Sequence, residues 1–207
     1  MYYTERPQIP TVTKNLLITN AIVFFATLVN RRFMIMNFAL FCPESEFFRW
    51  WQLITHMFVH GGWAHIIFNM YSLFIFGCVV ERVIGSKKFI WFYMICGLGA
   101  ALFHIFTCMI GGININTPTV GASGAIYGLL IGYAMLFPQS RLTLIFPPIS
   151  LSAKAWVLIF AGIELFTGIT GTAEGIAHFA HLGGMLFGFI LIWLWRKKGG
   201  FYNQYYY

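Results

Sequence analysis

Serine and histidine are the side chains in this sequence whose spacing allows covalent chemistry. Ser123 stands in GASGAIYG, between Gly121 and Gly124. A serine hydroxyl becomes a nucleophile when a neighbouring imidazole takes its proton. Candidate imidazoles are His65, in GGWAHIIFN, and the pair His178 and His181, in AHFAHLGG. His65 and Asn69 are four residues apart, so on a helix they share one face. From that face both side chains can donate to a developing oxyanion. If Ser123 opens a helix, the unbonded backbone N–H groups of the first turn add further donors. The small neighbours Gly121 and Gly124 let a carbonyl approach the hydroxyl closely.

The acid inventory narrows this chemistry. All six acidic residues are glutamates (Glu5, Glu44, Glu46, Glu81, Glu164 and Glu174), and there is no aspartate. A Ser-His-Asp triad and any site built on aspartate are excluded. The unit expected is a Ser-His pair. Glu164 and Glu174 are the acids nearest the candidate histidines of the last apolar segment, and neither is expected to join it.

These residues must be positioned by elements suited to a bilayer. Of 207 residues, 59% are hydrophobic and 9% charged, with a mean hydropathy of +0.74. Soluble domains carry about 25% charged residues. A water-soluble globular enzyme is thereby excluded, and an aromatic content of 19% excludes disorder. Six apolar segments are long enough to read as helical spans: about 15–30, 63–81, 88–110, 121–137, 153–169 and 176–195. Gly111-Gly112, Pro138, Pro147-Pro148, Gly168 and Gly171 fall at the expected helix ends. Arg31 and Arg32 follow the first segment with no small-residue cleavage site, which reads as a retained span. The fold class expected is all-α, a polytopic membrane protein with six transmembrane helices. One domain is expected over 15–197, between a tail at 1–14 and a tail at 198–207.

An even number of spans puts both termini on one side. That side gathers ten of the 13 basic residues: Arg6, Lys14, Arg82, Lys87, Lys88, Arg141, Lys154, Arg196, Lys197 and Lys198. Only Arg31, Arg32 and Arg49 lie on the other. The basic face is expected to be cytoplasmic. The charge of +7 is spread between spans rather than massed, so no nucleic-acid partner is expected. The connection 31–62 is rich in Phe, Trp and Met and reads as an interfacial segment, with Trp50 and Trp51 at headgroup depth. The four cysteines show no metal spacing, and three of them read as small hydrophobes.

In this topology His65, Ser123 and His181 all fall at similar shallow depth beneath the non-cytoplasmic face. Polar side chains inside spans are costly and mark function by default. Gly124, Gly128 and Gly132 form a small-residue stripe on the fourth span, and Gly184 with Gly188 another on the sixth. Such stripes let backbones approach, as a Ser123–histidine pair requires. Taken singly, each feature also has a plainer reading. Glycine stripes serve packing, and a serine in a span often bonds its own helix. A site of His56, His60, His65, His178 and His181 on a metal is a rival, although the sequence contains no H-E-x-x-H.

The motifs HMFVHGGWAHIIFNM, ERVIG, GASGAIYG and AHLGGMLFG together resemble those of the rhomboid intramembrane serine proteases of bacterial type, over about Asn15 to Trp195. The resemblance implies a six-helix core and a Ser-His dyad with no cofactor or metal. It implies transmembrane protein substrates in a lipid bilayer, and says nothing of oligomeric state. Carried residue by residue, it makes Ser123 the nucleophile. His65, Asn69 and the Ser123 backbone N–H become the oxyanion donors, and Tyr127 the aromatic packed on the catalytic histidine. The pattern His-x-x-Gly-x-x-x-Gly fits His181 with Gly184 and Gly188, whereas His178 would need glycines where His181 and Met185 stand. His178 is expected beside the site or at its entrance. Glu81-Arg82 matches a polar pair that ties the first external connection to its helix. His56 and His60 match positions that hold that connection. Where the family often has Trp-Arg, this chain has Trp51-Gln52, and Gln52 lacks an arginine's charged bonds. The glycine-rich connection 168–175 is expected to act as a lid, with the fifth span as a lateral gate. A non-catalytic family member that only binds membrane partners is the alternative, and such relatives lack dyad residues that are present here.

Overall fold

The computed structural model of the chain describes residues 8–111, 114–144, 147–171 and 178–198. Glu5, Arg6, Gly112, Glu174, the tail beyond 198 and the second half of the expected lid at 168–175 lie outside the described residues.

Helix α1 (Thr11–Val29) begins at Pro10. The Glu81 carboxylate meets the free donors of its first turn. Val12 N–H donates to Oε1 at 3.0 Å, Thr13 N–H to Oε2 at 2.7 Å and the Thr13 hydroxyl to Oε2 at 2.8 Å. An anion at a helix N-terminus is favoured by the helix dipole. The Ser86 hydroxyl adds a bond to Oε1 at 2.6 Å, and Arg82 reaches the Gln8 carbonyl at 3.2 Å. Glu81 and Arg82 therefore do not hold the external connection that the resemblance assigned to them. They sit at the opposite end of the second span and clamp the start of α1 to the start of the third.

The connection 31–62 folds as α2 (Arg31–Phe38), α3 (Gln52–Thr55) and a 3₁₀ turn, His56–Phe58. Asn30 caps α2 through its side chain. Gln52 is fully buried. Its Nε2 donates to Phe47 O at 2.9 Å and Met36 O at 3.4 Å, and its Oε1 accepts from Arg49 N at 3.1 Å and Phe41 N at 3.4 Å. A neutral amide, with both donors and acceptors, thus anchors the connection where the family often places arginine. Cys42 and Cys108 form a disulfide that ties this connection to the third span, so at least one of the three cysteines expected to be small hydrophobes is a cross-link instead.

The second span runs as α4 (Trp63–Ser72), a π-helical turn (Leu73–Gly77) and α5 (Cys78–Ile84). It is followed by α6 (Ser86–Met109), α7 (Ser123–Leu136), α8 (Ala153–Thr170) and α9 (His178–Lys197). Among the described residues five helices are long and apolar enough to cross a membrane: Thr11–Val29, Trp63–Ile84, Ser86–Met109, Ala153–Thr170 and His178–Lys197. The protein is a mostly helical, multi-pass membrane protein. The fourth expected span, α7, has 14 residues. At 1.5 Å per residue it is about 21 Å long, short of a hydrocarbon core of about 30 Å. Between α7 and α8 stands a hairpin that the sequence did not announce, with β1 (Arg141–Thr143) antiparallel to β2 (Ser150–Ser152).

Helices α6, α7 and α9 pack against one another through glycine. A Cβ at Gly184 would lie 1.9 Å from the Gly124 carbonyl, and one at Gly188 2.7 Å from the Gly128 carbonyl. Backbones this close exclude any side chain, so both expected glycine stripes serve as contact faces. The core is lined by Leu73, Phe89, Phe92, Tyr93, Leu129 and Ile192. Large apolar side chains point outward as well, among them Phe68 at 71% and Ile169 at 72% exposed. A helix surface of this kind suits acyl chains rather than water.

Candidate active site

Helices α4, α7, α8 and α9 and the connections before α4 and α7 assemble the polar cluster. Gly121 takes a backbone conformation with φ of +118°, which favours glycine, and its N–H donates to His56 O at 2.9 Å. A Cβ here would stand 2.6 Å from His65 Nε2. Gly121 thus turns the chain into α7 while leaving room for the His65 ring. No side chain caps the α7 N-terminus, where Ser123 is the first residue.

Ser123 Oγ is 2.8 Å from His181 Nε2. The Tyr127 ring, one turn along α7, stacks on the His181 ring with centroids 4.3 Å apart and planes 10° from parallel. Gly124 follows Ser123 directly and Gly184 stands three residues after His181, so their contact sets the helix separation that the Ser123–His181 bond needs.

His65 Nδ1 accepts a long bond from Gly61 N–H at 3.4 Å, which leaves the Nε2 proton directed toward Gly121. His60 packs edge-on against the same ring at 5.1 Å. Asn69 is buried, and its Nδ2 donates to His65 O at 2.7 Å. A cavity of about 530 Å³ brings together Ser123, His65, His181 and Gly121 with His56 and His104. Asn69 lines a different cavity, of about 660 Å³, with Tyr127, Trp156 and Phe160. This second space runs between the second span and α8 down to the β1 strand. Ser123 is the residue that lines both.

His56 and His60 lie in the connection outside the spans. His56 Nδ1 is 2.8 Å from Gln52 O, and His60 Nδ1 is 3.2 Å from Phe58 O. Burial pushes the pKa of each down to about 4, and for His60 the nearby His65 adds to the effect. Both are neutral at pH 7 and hold the loop, as their positions imply. His104 faces Thr119, whose hydroxyl lies 3.1 Å from Nδ1.

One finding departs from the sequence reading. Glu164, on α8, is 5% exposed and lies against the candidate histidines. Its Oε1 is 3.0 Å from His181 Nδ1, near enough for an ion pair but off the line of the N–H bond. Its Oε2 is 2.6 Å from His178 Nδ1, and the Tyr127 hydroxyl donates to Oε1. His178 also meets the Thr167 hydroxyl at 3.1 Å. His178 is therefore a partner of the buried carboxylate rather than an entrance residue. The signal for Glu164 was present in the sequence as a charge in mid-span.

Chemically, the arrangement offers a hydroxyl bonded to an imidazole, donors beside it, and a carboxylate behind it. Among the described residues the five histidines of the metal reading do not form one ligand set. The group of metal-type ligands that does cluster is Cys42, His104 and Cys108, and its two sulfurs are joined to each other.

Comparison with known proteins gives a family for this geometry. Residues 48–198 match the model of the Rhomboid domain. The chain is 30% identical over 154 residues to Rhomboid-like protein 11, chloroplastic, of Arabidopsis thaliana, covering 72% of this chain and 53% of that protein. It is 34% identical over 157 residues to RHOMBOID-like protein 5 of the same plant, covering 75% and 48%. It is 30% identical over 158 residues to Rhomboid protease AarA of Providencia stuartii, covering 69% and 54%. The matched region spans about half the length of these curated relatives.

Proposed function

The chain belongs to the rhomboid family, and from that premise we propose that it is an intramembrane serine endopeptidase that cuts transmembrane segments of membrane-protein substrates. The observation that carries the reading is the 2.8 Å contact between Ser123 Oγ and His181 Nε2 at the start of a helix inside an apolar bundle. Family membership with protease-named relatives supports the same reaction class.

In the reaction, Ser123 Oγ attacks the scissile carbonyl carbon as its proton passes to His181 Nε2. The oxyanion that forms is met by the Ser123 backbone N–H, His65 Nε2–H and the Asn69 amide, once Asn69 turns from His65 O. The imidazolium then protonates the leaving amine, the C–N bond breaks, and water releases the acyl-enzyme by the reverse roles. A carbonyl within a helix is already hydrogen-bonded, so the substrate must unwind at the cut. Small or helix-breaking residues are expected there. The apolar space between the second span and α8 suits entry from the lipid side, with α8 as the gate. The basic face is cytoplasmic in this reading, and the Cys42–Cys108 disulfide lies at the opposite, oxidising face. The membrane is a bacterial cell membrane, and the catalytic domain covers 15–197.

The test is cleavage of a single-span reporter in proteoliposomes. Ser123→Ala and His181→Ala should each lower turnover by about 10⁴-fold or more, and Ser123→Ala should also abolish labelling by a fluorophosphonate. Normal cleavage by Ser123→Ala overturns the mechanism. Reporter capture without turnover by the unmodified protein favours a non-catalytic binding role.

A further inference from the structure

We propose that Glu164 is a positioning residue for the reaction, holding His181 in the tautomer and orientation that let Nε2 take the Ser123 proton. The proposal rests on the Ser123–His181 reading above and adds a third group to it. Nothing in the family pattern quoted for this chain includes a carboxylate at this place.

The geometry runs in one direction. Nε2 of His181 faces Ser123 Oγ at 2.8 Å, so to act as a base it must be the unprotonated nitrogen. The ring proton then sits on Nδ1, and the nearest acceptor to Nδ1 is Glu164 Oε1 at 3.0 Å. Among the described residues His181 Nδ1 is buried and makes no aligned hydrogen bond, so the 3.0 Å contact with Glu164 is an ion-pair contact that becomes a bond when the ring turns toward it. The other tautomer would put lone pairs of Nδ1 and the carboxylate face to face. The carboxylate therefore selects the reactive form. It also stabilises the imidazolium that exists while the proton is on both nitrogens. In the step Glu164 neither gains nor loses a proton.

The carboxylate is itself held from two helices. Tyr127 on α7 donates to Oε1, and the same Tyr127 ring stacks on His181. His178 on α9 meets Oε2 at 2.6 Å. Thr167, on the same helix as Glu164, contacts His178 and completes the cluster. The titratable groups facing Glu164 are therefore Tyr127, His178 and His181. Burying an anion within a span is tolerated only with such partners. One charged residue on α8 thus ties together the elements carrying Ser123 and His181.

Glu164→Gln keeps the shape and an oxygen for the Tyr127 and His181 donors, while its amide can donate toward His178. It removes only the charge. Steady-state cleavage of the single-span reporter in proteoliposomes should show kcat lowered about 10²- to 10³-fold with KM within about threefold, by comparison with neutralising the acid of a serine triad. Glu164→Asp, which restores the charge on a shorter stem, should recover at least about tenfold of kcat over Glu164→Gln. Melting temperature in detergent is read in parallel, and both variants should unfold within a few degrees of the parent. The proposal is overturned if Glu164→Gln keeps kcat within about threefold while Ser123→Ala is inactive. It is also overturned if Glu164→Gln loses kcat and Glu164→Asp gives no recovery although folded. If Ser123→Ala itself cleaves normally, the underlying mechanism fails and the role of Glu164 falls with it.

Discussion

A carboxylate in mid-span costs several kcal/mol unless paired, and Glu164 meets that cost with partners on two other helices. The motifs made Ser123, His65, His181 and Tyr127 legible, because each carries its neighbours' pattern with it. Glu164 carries none. It lies 17 residues before His181 and 41 after Ser123 in sequence, and nothing local says which way α8 is rotated. His56 and His60 show a second residue-scale effect. Each is neutral when folded, with a pKa pushed down to about 4 by burial, but once exposed it binds a proton near pH 6.5. The stability they contribute is present above pH 6.5 and is lost as pH falls toward 4. For His56, 4% exposed, the loss is of order 3 kcal/mol at the low end. Melting temperature in detergent should therefore fall between pH 7 and 4.5 more steeply for the parent than for His56→Gln. Parallel curves would count against buried neutral imidazoles as the cause.

At the scale of elements, the glycine stripes could be read directly, since small residues every fourth position leave few other uses in a span. The structure turns them into a number. A Cβ at Gly184 would meet the Gly124 carbonyl at 1.9 Å, and a carbonyl cannot rotate away as a side chain can. Gly184→Ala should push α7 and α9 apart and lengthen the Ser123–His181 contact. Reporter turnover should fall about 10²-fold, the loss a misplacement of 1 Å can bring. At Gly162 on α8 an added Cβ meets nothing within 4 Å, so Gly162→Ala should cleave within about twofold of the parent. Equal losses for the two variants would mean general disruption rather than a specific contact. Span counting was less informative here. The run 121–137 looked like a full crossing, yet α7 is helical only from Ser123 to Leu136. Hydropathy registers the apolar stretch and misses that Gly121 starts it part-way into the bundle. The β1–β2 hairpin is three residues a side, too short for alternation to declare itself.

For the whole molecule, the disulfide was the least legible feature. Cys42 and Cys108 are 66 residues apart, and pairing depends on how the connection 31–62 folds back over α6. That connection is also fastened by the Leu40–Thr119 backbone pair and by Gln52. Closing so long a loop restricts the unfolded chain, which in soluble proteins is worth about 2–4 kcal/mol. The double variant Cys42→Ala/Cys108→Ala should melt several degrees lower in detergent, and dithiothreitol should lower the parent to the same value. A reductant-insensitive melting temperature would show that the hydrogen bonds alone hold the connection.

Among the described residues Ser123 is the one that borders both cavities, one walled by histidines and connection backbone, the other by apolar and aromatic side chains. Hydrolysis needs two reactants that do not share a solvent. In the proposed reaction the chain arrives from the lipid side and the water from the polar side, and they meet at the acyl carbon that Ser123 Oγ carries. The two reactants of the proposed hydrolysis therefore have separate doorways.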